Sequence, residues 1–116
     1  MKTVLENPGT GFERVIKSAV EPVLVLFYAS WCGQCQILAP LLARLARELE
    51  GAVRIAQINL DDRPELAGRY SIFTVPTLML FHGGVPIDRL EQMPSFLELE
   101  ARLRGVLADY ATERTA

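Results

Sequence analysis

The sequence is poor in the residues that staple a chain, bind metal or cross a membrane. Its 116 residues include two cysteines, one histidine and one tryptophan. Two cysteines are too few for the disulfide framework of a small secreted scaffold. As a C-x-x-C pair they close a loop too short to remove much unfolded-state entropy. Zinc asks for four ligands, and His82 is the only further soft one, so no metal site is expected within one chain. The longest uninterrupted apolar run, Val23 to Ala29, falls far short of the roughly twenty residues that span a bilayer. It also lies too far from the N-terminus to serve as a signal peptide. No membrane association is expected, and the cytoplasm is the default compartment. Basic charge is sparse as well: ten arginines and two lysines, scattered along the chain, face 14 acidic residues for a formal net charge of −2. Without a basic stripe to neutralise phosphates, nucleic acid is not an expected partner.

What is present is apolar bulk in alternating patterns. Half the residues are hydrophobic, enough for one continuous core. The length fits a single domain over residues 1–116, ordered from about 4 to 110 with a frayed tail after Ala111. Val4 and Leu5 end a short first strand. Thr10 and Glu13 read as a capping box for a helix that Pro22 stops. Val23 to Tyr28, apolar throughout, reads as a central strand buried on both faces. The next helix runs from about Cys32 to Glu50, with Leu38, Leu41, Leu42, Leu45, Ala46 and Leu49 on one face and Gly51 at its C′ position. Pro40 inside it removes a hydrogen bond and predicts a kink. Val53 to Leu60 is a strand. Asp62 to Tyr70 is a short helix, with Asp62 and Glu65 as its capping box and Asp61 as a further cap. Thr77 to Phe81 is a strand, and His82-Gly83-Gly84 turns the chain into a last strand near Ile87 to Glu91, which must be an edge to tolerate Pro86. Ser95 and Glu98 cap a final helix carrying Phe96, Leu99, Leu103, Val106, Leu107 and Tyr110 at helical spacing. The order βαβαβαββα predicts an α/β fold: a mixed central sheet, mostly parallel, with a C-terminal antiparallel hairpin and helices on both faces.

The two cysteines fall where the buried strand gives way to a helix. Unpaired N–H groups and the positive end of the helix dipole stabilise an anion there, so a thiolate is favoured at Cys32, and the thiolate is the reactive form. The i, i+3 spacing brings Cys35 within disulfide reach on the same face. Such a pair can exchange with a client disulfide: Cys32 attacks, and Cys35 resolves the mixed disulfide. Inert core thiols and half of a dimer-bridged zinc site are the weaker readings of the same pair.

From Val4 to Tyr110 the sequence resembles the thioredoxin family. Phe27, Ala29, Trp31-Cys32-Gly33-x-Cys35, Pro40, Asn59, Asp61, Val75-Pro76-Thr77, Phe81 and Gly84 stand where the family has them. The resemblance implies a thioredoxin fold and a protein-disulfide reductase whose redox centre is the Cys32–Cys35 disulfide, with no other cofactor. It implies Pro76 as the family's cis-proline, and Trp31, Gly33, Val75 and Phe73 as an apolar rim for disulfide-bearing client proteins. A thioredoxin reductase would be the electron donor, and the protein a monomer in cell redox homeostasis and electron transport.

Four departures stand out. Gln34 replaces the usual proline in the active-site loop, restoring a backbone N–H. Leu26 stands where the family buries an aspartate behind the second cysteine, and Gln57 replaces the lysine near it. Losing both charges together avoids stranding one of them. Gln92-Met93-Pro94 replaces a small glycine-containing turn. Two other functions use the same residues: a binding or assembly protein with incidental thiols, which Cys32→Ser would spare, and an oxidase or isomerase running the exchange in reverse.

Overall fold

The computed structural model describes residues 4–6, 11–91 and 95–115, with side chains over 11–91 and 95–109. The elements are β1 (Val4–Glu6), α1 (Phe12–Ser18), β2 (Val23–Tyr28), α2 (Gly33–Glu48), β3 (Arg54–Asn59), α3 (Glu65–Arg69), β4 (Thr77–His82), β5 (Val85–Leu90) and α4 (Phe96–Thr115). They build one five-stranded sheet in the order β1-β3-β2-β4-β5.

Strand β2 is buried on both faces, as its unbroken apolar run requires. Leu24 and Leu26 join Ile55, Leu78 and Leu80 beneath Leu38, Leu42 and Leu45 of α2 and Leu99 and Leu103 of α4. Val23, Val25 and Phe27 join Ile58, Met79 and Phe81 against Phe12 and Ile16 of α1 and Leu66 of α3. Alternate residues of one strand thus serve opposite layers, the period-two consequence of the pleat. Each layer excludes water from one face of the sheet and fixes the strand register, since a slip of one residue would exchange the two faces.

The sheet is mixed, but its antiparallel part is wider than a terminal hairpin. β1 and β2 both pair parallel with β3, whereas β4 runs antiparallel to β2 as well as to β5. One helix separates β3 from β4, a pattern that usually means a parallel return. Helix α3 has only five residues. At about 1.5 Å per residue it cannot carry the chain back along a six-residue strand of about 20 Å. The chain stays at one end of the sheet, and β4 starts there in the opposite direction, with Thr77 beside Phe27. Pro86 lies in the edge strand β5, where the register shifts between Leu80 and Phe81. Gly83 and Gly84 make the β4–β5 turn at φ +60° and +86°, a conformation that side-chain-bearing residues resist.

Several predicted helix ends move. Ser95 and Glu98 form their capping box, with Glu98 N–H donating to Ser95 Oγ at 3.2 Å and Ser95 Oγ donating to Glu98 Oε1 at 3.1 Å. Asp62 does not cap α3. The N–H groups of Asp62 and Arg63 both donate to Asn59 O, so a separate turn fills 59–63 and the helix begins only after Pro64, which has no N–H to leave unpaired. Thr10 of the other expected box lies outside the described residues. Its partner Glu13 accepts from Arg63 Nη2 at 2.6 Å and Arg69 Nη1 at 3.1 Å, tying α1 to α3. Helix α2 ends at Glu48, and Leu49 O accepts from Ala52 and Val53. Gly51, at φ +87°, therefore sits in the following turn and not at C′. The backbone of α4 is helical to Thr115, and the Tyr110 side chain lies outside the described ones.

Candidate active site

The loop after β2 brings the chain to Cys32, which is the N-cap of α2 and not its first helical residue (φ −87°, ψ 103°). In that position a side chain normally offers oxygen to an otherwise unpaired N–H of the first turn. Here sulfur does so: Cys35 N–H donates to Cys32 Sγ at 3.2 Å. Cys32 N–H in turn donates to Ala29 O at 3.1 Å. The two cysteines form a disulfide across a Cα–Cα distance of 5.3 Å. Both are buried, at 5 % and 4 % exposure. A donor already aimed at Cys32 Sγ in the disulfide is placed to stabilise negative charge on that sulfur once the bond opens.

Around the pair the structure gathers most of the residues singled out in the sequence. Ala29, Cys32 and Cys35 pack together, with Tyr28 and Val75 against them. The Val75–Pro76 peptide is cis, and Pro76 is buried. Behind it the fully buried Thr77 donates through Oγ1 to Thr74 O at 2.7 Å, closing the turn that leads to the proline. Gly33 and Gln34 are exposed. Trp31 is 77 % exposed and Phe73 89 %, large apolar surfaces at the two ends of the chain segments that meet at the disulfide. Ile37, also exposed, shares a helix face with Gly33 one turn earlier. Ile37 falls outside the apolar stripe of α2, and that mismatch with helical spacing marks it in the sequence as a surface residue.

Two supports were not legible as such. Asp61 is no helix cap: Ser30 N–H donates to its Oδ2 at 3.3 Å. Asn59 Nδ2 donates to Ser30 Oγ at 3.0 Å and Asp61 N–H to Asn59 Oδ1 at 2.9 Å. With Leu60 N–H donating to Tyr28 O, the end of β3 holds the loop that carries Trp31. The second support is Arg89 of β5, whose Nη1 and Nη2 donate to Tyr70 O and Ser71 O at 2.6 Å each. It anchors the start of the Phe73–Pro76 segment beside Ser71, which has φ +54°. Only the tertiary pairing of β5 with β4 brings Arg89 there, so local sequence carries no signal for it.

Leu26 and Gln57 are register partners on β2 and β3. Leu26 is fully buried within the leucine layer under α2. Gln57 instead lines a cleft of about 140 Å³ together with Cys32 and Cys35. His82 lies at the far end of β4, its Nε2 3.2 Å from Val20 O. Among the described residues no three His, Cys, Asp or Glu side chains are grouped to hold a metal ion, and no helix is long and apolar enough to cross a membrane. Gln92-Met93-Pro94 lies outside the described residues.

Comparison with known proteins agrees with this geometry. The Thioredoxin family model matches residues 3–104. Thioredoxin 1 of a Nostoc species is 39 % identical over 88 residues, 76 % of this chain and 82 % of that protein. The thioredoxin of Alicyclobacillus acidocaldarius is 41 % identical over 87 residues, 75 % of this chain and 83 % of the relative. Among solved structures, a point mutant of the Halobacterium salinarum thioredoxin superposes with a TM-score of 0.80 at 29 % identity, covering 91 % of this chain and 92 % of that one.

Proposed function

This chain belongs to the thioredoxin family and is a thiol–disulfide oxidoreductase, and from that premise we propose that it reduces disulfides in client proteins with Cys32 as nucleophile and Cys35 as resolving thiol. The observation that carries the assignment is the Cys35 N–H aimed at Cys32 Sγ from the helix start. It favours the anion on Cys32, while Cys35 sits one turn inside the helix. In the reaction the Cys32 thiolate attacks one sulfur of a client disulfide, expelling the other as a thiolate that takes up a proton. Cys35 then loses its proton and attacks Cys32 Sγ, expelling the second client thiolate. Two client thiols and the Cys32–Cys35 disulfide result, and the two electrons come from the dithiol.

Clients dock over the apolar rim. Trp31, Gly33, Phe73 and Val75 supply surface around the pair, and Val75 and Pro76 present backbone to an extended segment. Gln34 brings a backbone N–H close to the thiols that the family's usual proline lacks. The domain spans the whole chain and works as a monomer in the cytoplasm, needing no cofactor beyond its disulfide. It is recharged by a thioredoxin reductase as part of cellular electron transport. Support for that donor comes from a relative in Mycobacterium leprae, a bifunctional thioredoxin reductase/thioredoxin, of which 19 % matches 74 % of this chain at 36 % identity.

Trapping tests the assignment of roles. Cys35→Ser removes the resolving attack, so clients accumulate as mixed disulfides on Cys32, read by mass spectrometry of the adducts. Adducts on Cys35 in a Cys32→Ser variant, with none on Cys32 in the Cys35→Ser variant, would reverse the assignment.

A further inference from the structure

We propose that Gln57 is a positioning residue for the resolving step: it holds water in the cleft beside Cys35, and that water takes the Cys35 proton. The inference rests on the reading of Cys35 as resolving thiol and deepens it.

Gln57 and Thr77 are the only polar side chains in the buried set among the described residues. Thr77 bonds to Thr74 O. The Gln57 amide, 7 % exposed, has no protein partner among the described residues. The amide is not sealed from solvent, so water can supply the hydrogen bonds the protein does not. What Gln57 faces is the cleft of about 140 Å³, which it shares with Cys35, Ala39 and the exposed Ser30 and Gln36. That volume holds several waters, and the exposed lining connects it to solvent. An amide can both donate to and accept from water, so Gln57 can hold water in the cleft that Cys35 also lines.

The chemistry needs such a route. Cys35 is buried, and burial in hydrocarbon pushes a thiol toward its neutral form. Its register neighbourhood offers no base: Leu26 is apolar, and no carboxylate, histidine, lysine or arginine lines the cleft. The titratable groups that face it are the two cysteines and Tyr28. The proton therefore passes from Cys35 S–H to cleft water and on to solvent as Cys35 Sγ bonds to Cys32 Sγ and the Cys32–client bond breaks. The client thiolate leaves and is protonated by solvent, so the step is balanced in protons and electrons.

The test uses the full chain carrying a client thiol on Cys32, with release timed by rapid mixing between pH 6 and 9. Gln57→Leu should slow release at least threefold near neutral pH, steepen its rise with pH, and leave the initial attack by Cys32 unchanged. Gln57→Glu, a carboxylate on the same wall, should speed release and add a titration below pH 8. Gln57→Asn should keep the wild-type pH profile. Should Gln57→Leu not fold, the Gln57→Glu arm decides alone. Release at the wild-type rate and with the wild-type profile in every variant that folds would overturn this inference and leave the roles of the cysteines standing. Failure of the wild-type protein to form or release a Cys32 adduct would overturn both.

Discussion

At Cys32 the side chain proposed as nucleophile is also the side chain that caps the helix, so one atom answers two demands. The W-C-G-x-C run made the pair legible from sequence because strand, turn and helix start follow one another locally. Asp61 and Gln57 were not legible in the same way. Asp61 reads as a cap from its neighbours, and only the pairing of β2 with β3 turns it toward Ser30. The cleft that Gln57 lines joins it to the distant stretch 28–39. Leu26 shows the other side of the exchange of charge for hydrocarbon. Fully burying a leucine is worth about 1.5–3 kcal/mol, and a buried polar group left unpaired costs about 1–3 kcal/mol more. Leu26→Asp should therefore lower the unfolding free energy by about 3 kcal/mol or more in denaturant melts, and a variant as stable as wild type would remove Leu26 from the core layer to which it is assigned.

Elements in this fold are joined at their edges by arginine–carboxylate pairs, and these respond to pH. Desolvation pushes the Glu13 carboxyl up, yet its hydrogen bonds from Arg63 and Arg69 outweigh that and hold it below its ordinary value. Arg102 of α4 grips Asp88 of β5 with both Nε and Nη2, at 2.9 and 2.8 Å. Those bonds hold the Asp88 carboxyl below its usual 3.8. A carboxyl whose pKa is depressed on folding contributes stability that is complete above the unfolded value and is lost as pH falls through the lower folded one. Asp88→Asn should thus reduce stability at pH 7 and flatten its loss below about pH 4. An acid melt as steep as that of wild type would show that the pair contributes nothing. Helix positions followed from apolar spacing, which is a local property. Their ends followed less well, because Asp62 and Gly51 have cap-like identities, yet local turns over 59–63 and 49–53 take up the backbone groups there. The direction of β4 was hidden for a related reason: the length of α3, not its presence, decides whether the chain returns.

As a whole molecule, the protein places its chemistry where β2 and β3 end and β4 begins, the open end of a sheet covered on both faces. Trp31 and Phe73 stay exposed there while two layers of leucine, isoleucine, valine and phenylalanine hold the frame. The disulfide is a local clip on that frame. By chain entropy a four-residue loop is worth about 2 kcal/mol, less than the same bond would give across a long loop. Exposed apolar side chains beside a redox-capable cysteine pair suit a thiol–disulfide oxidoreductase. The most direct measurement is single-turnover reduction of insulin by the pre-reduced protein, followed as thiols appear on the insulin chains. Reduction faster than an equal concentration of dithiothreitol, abolished by Cys32→Ser, is the predicted result. A rate equal to the dithiothreitol background would contradict the account.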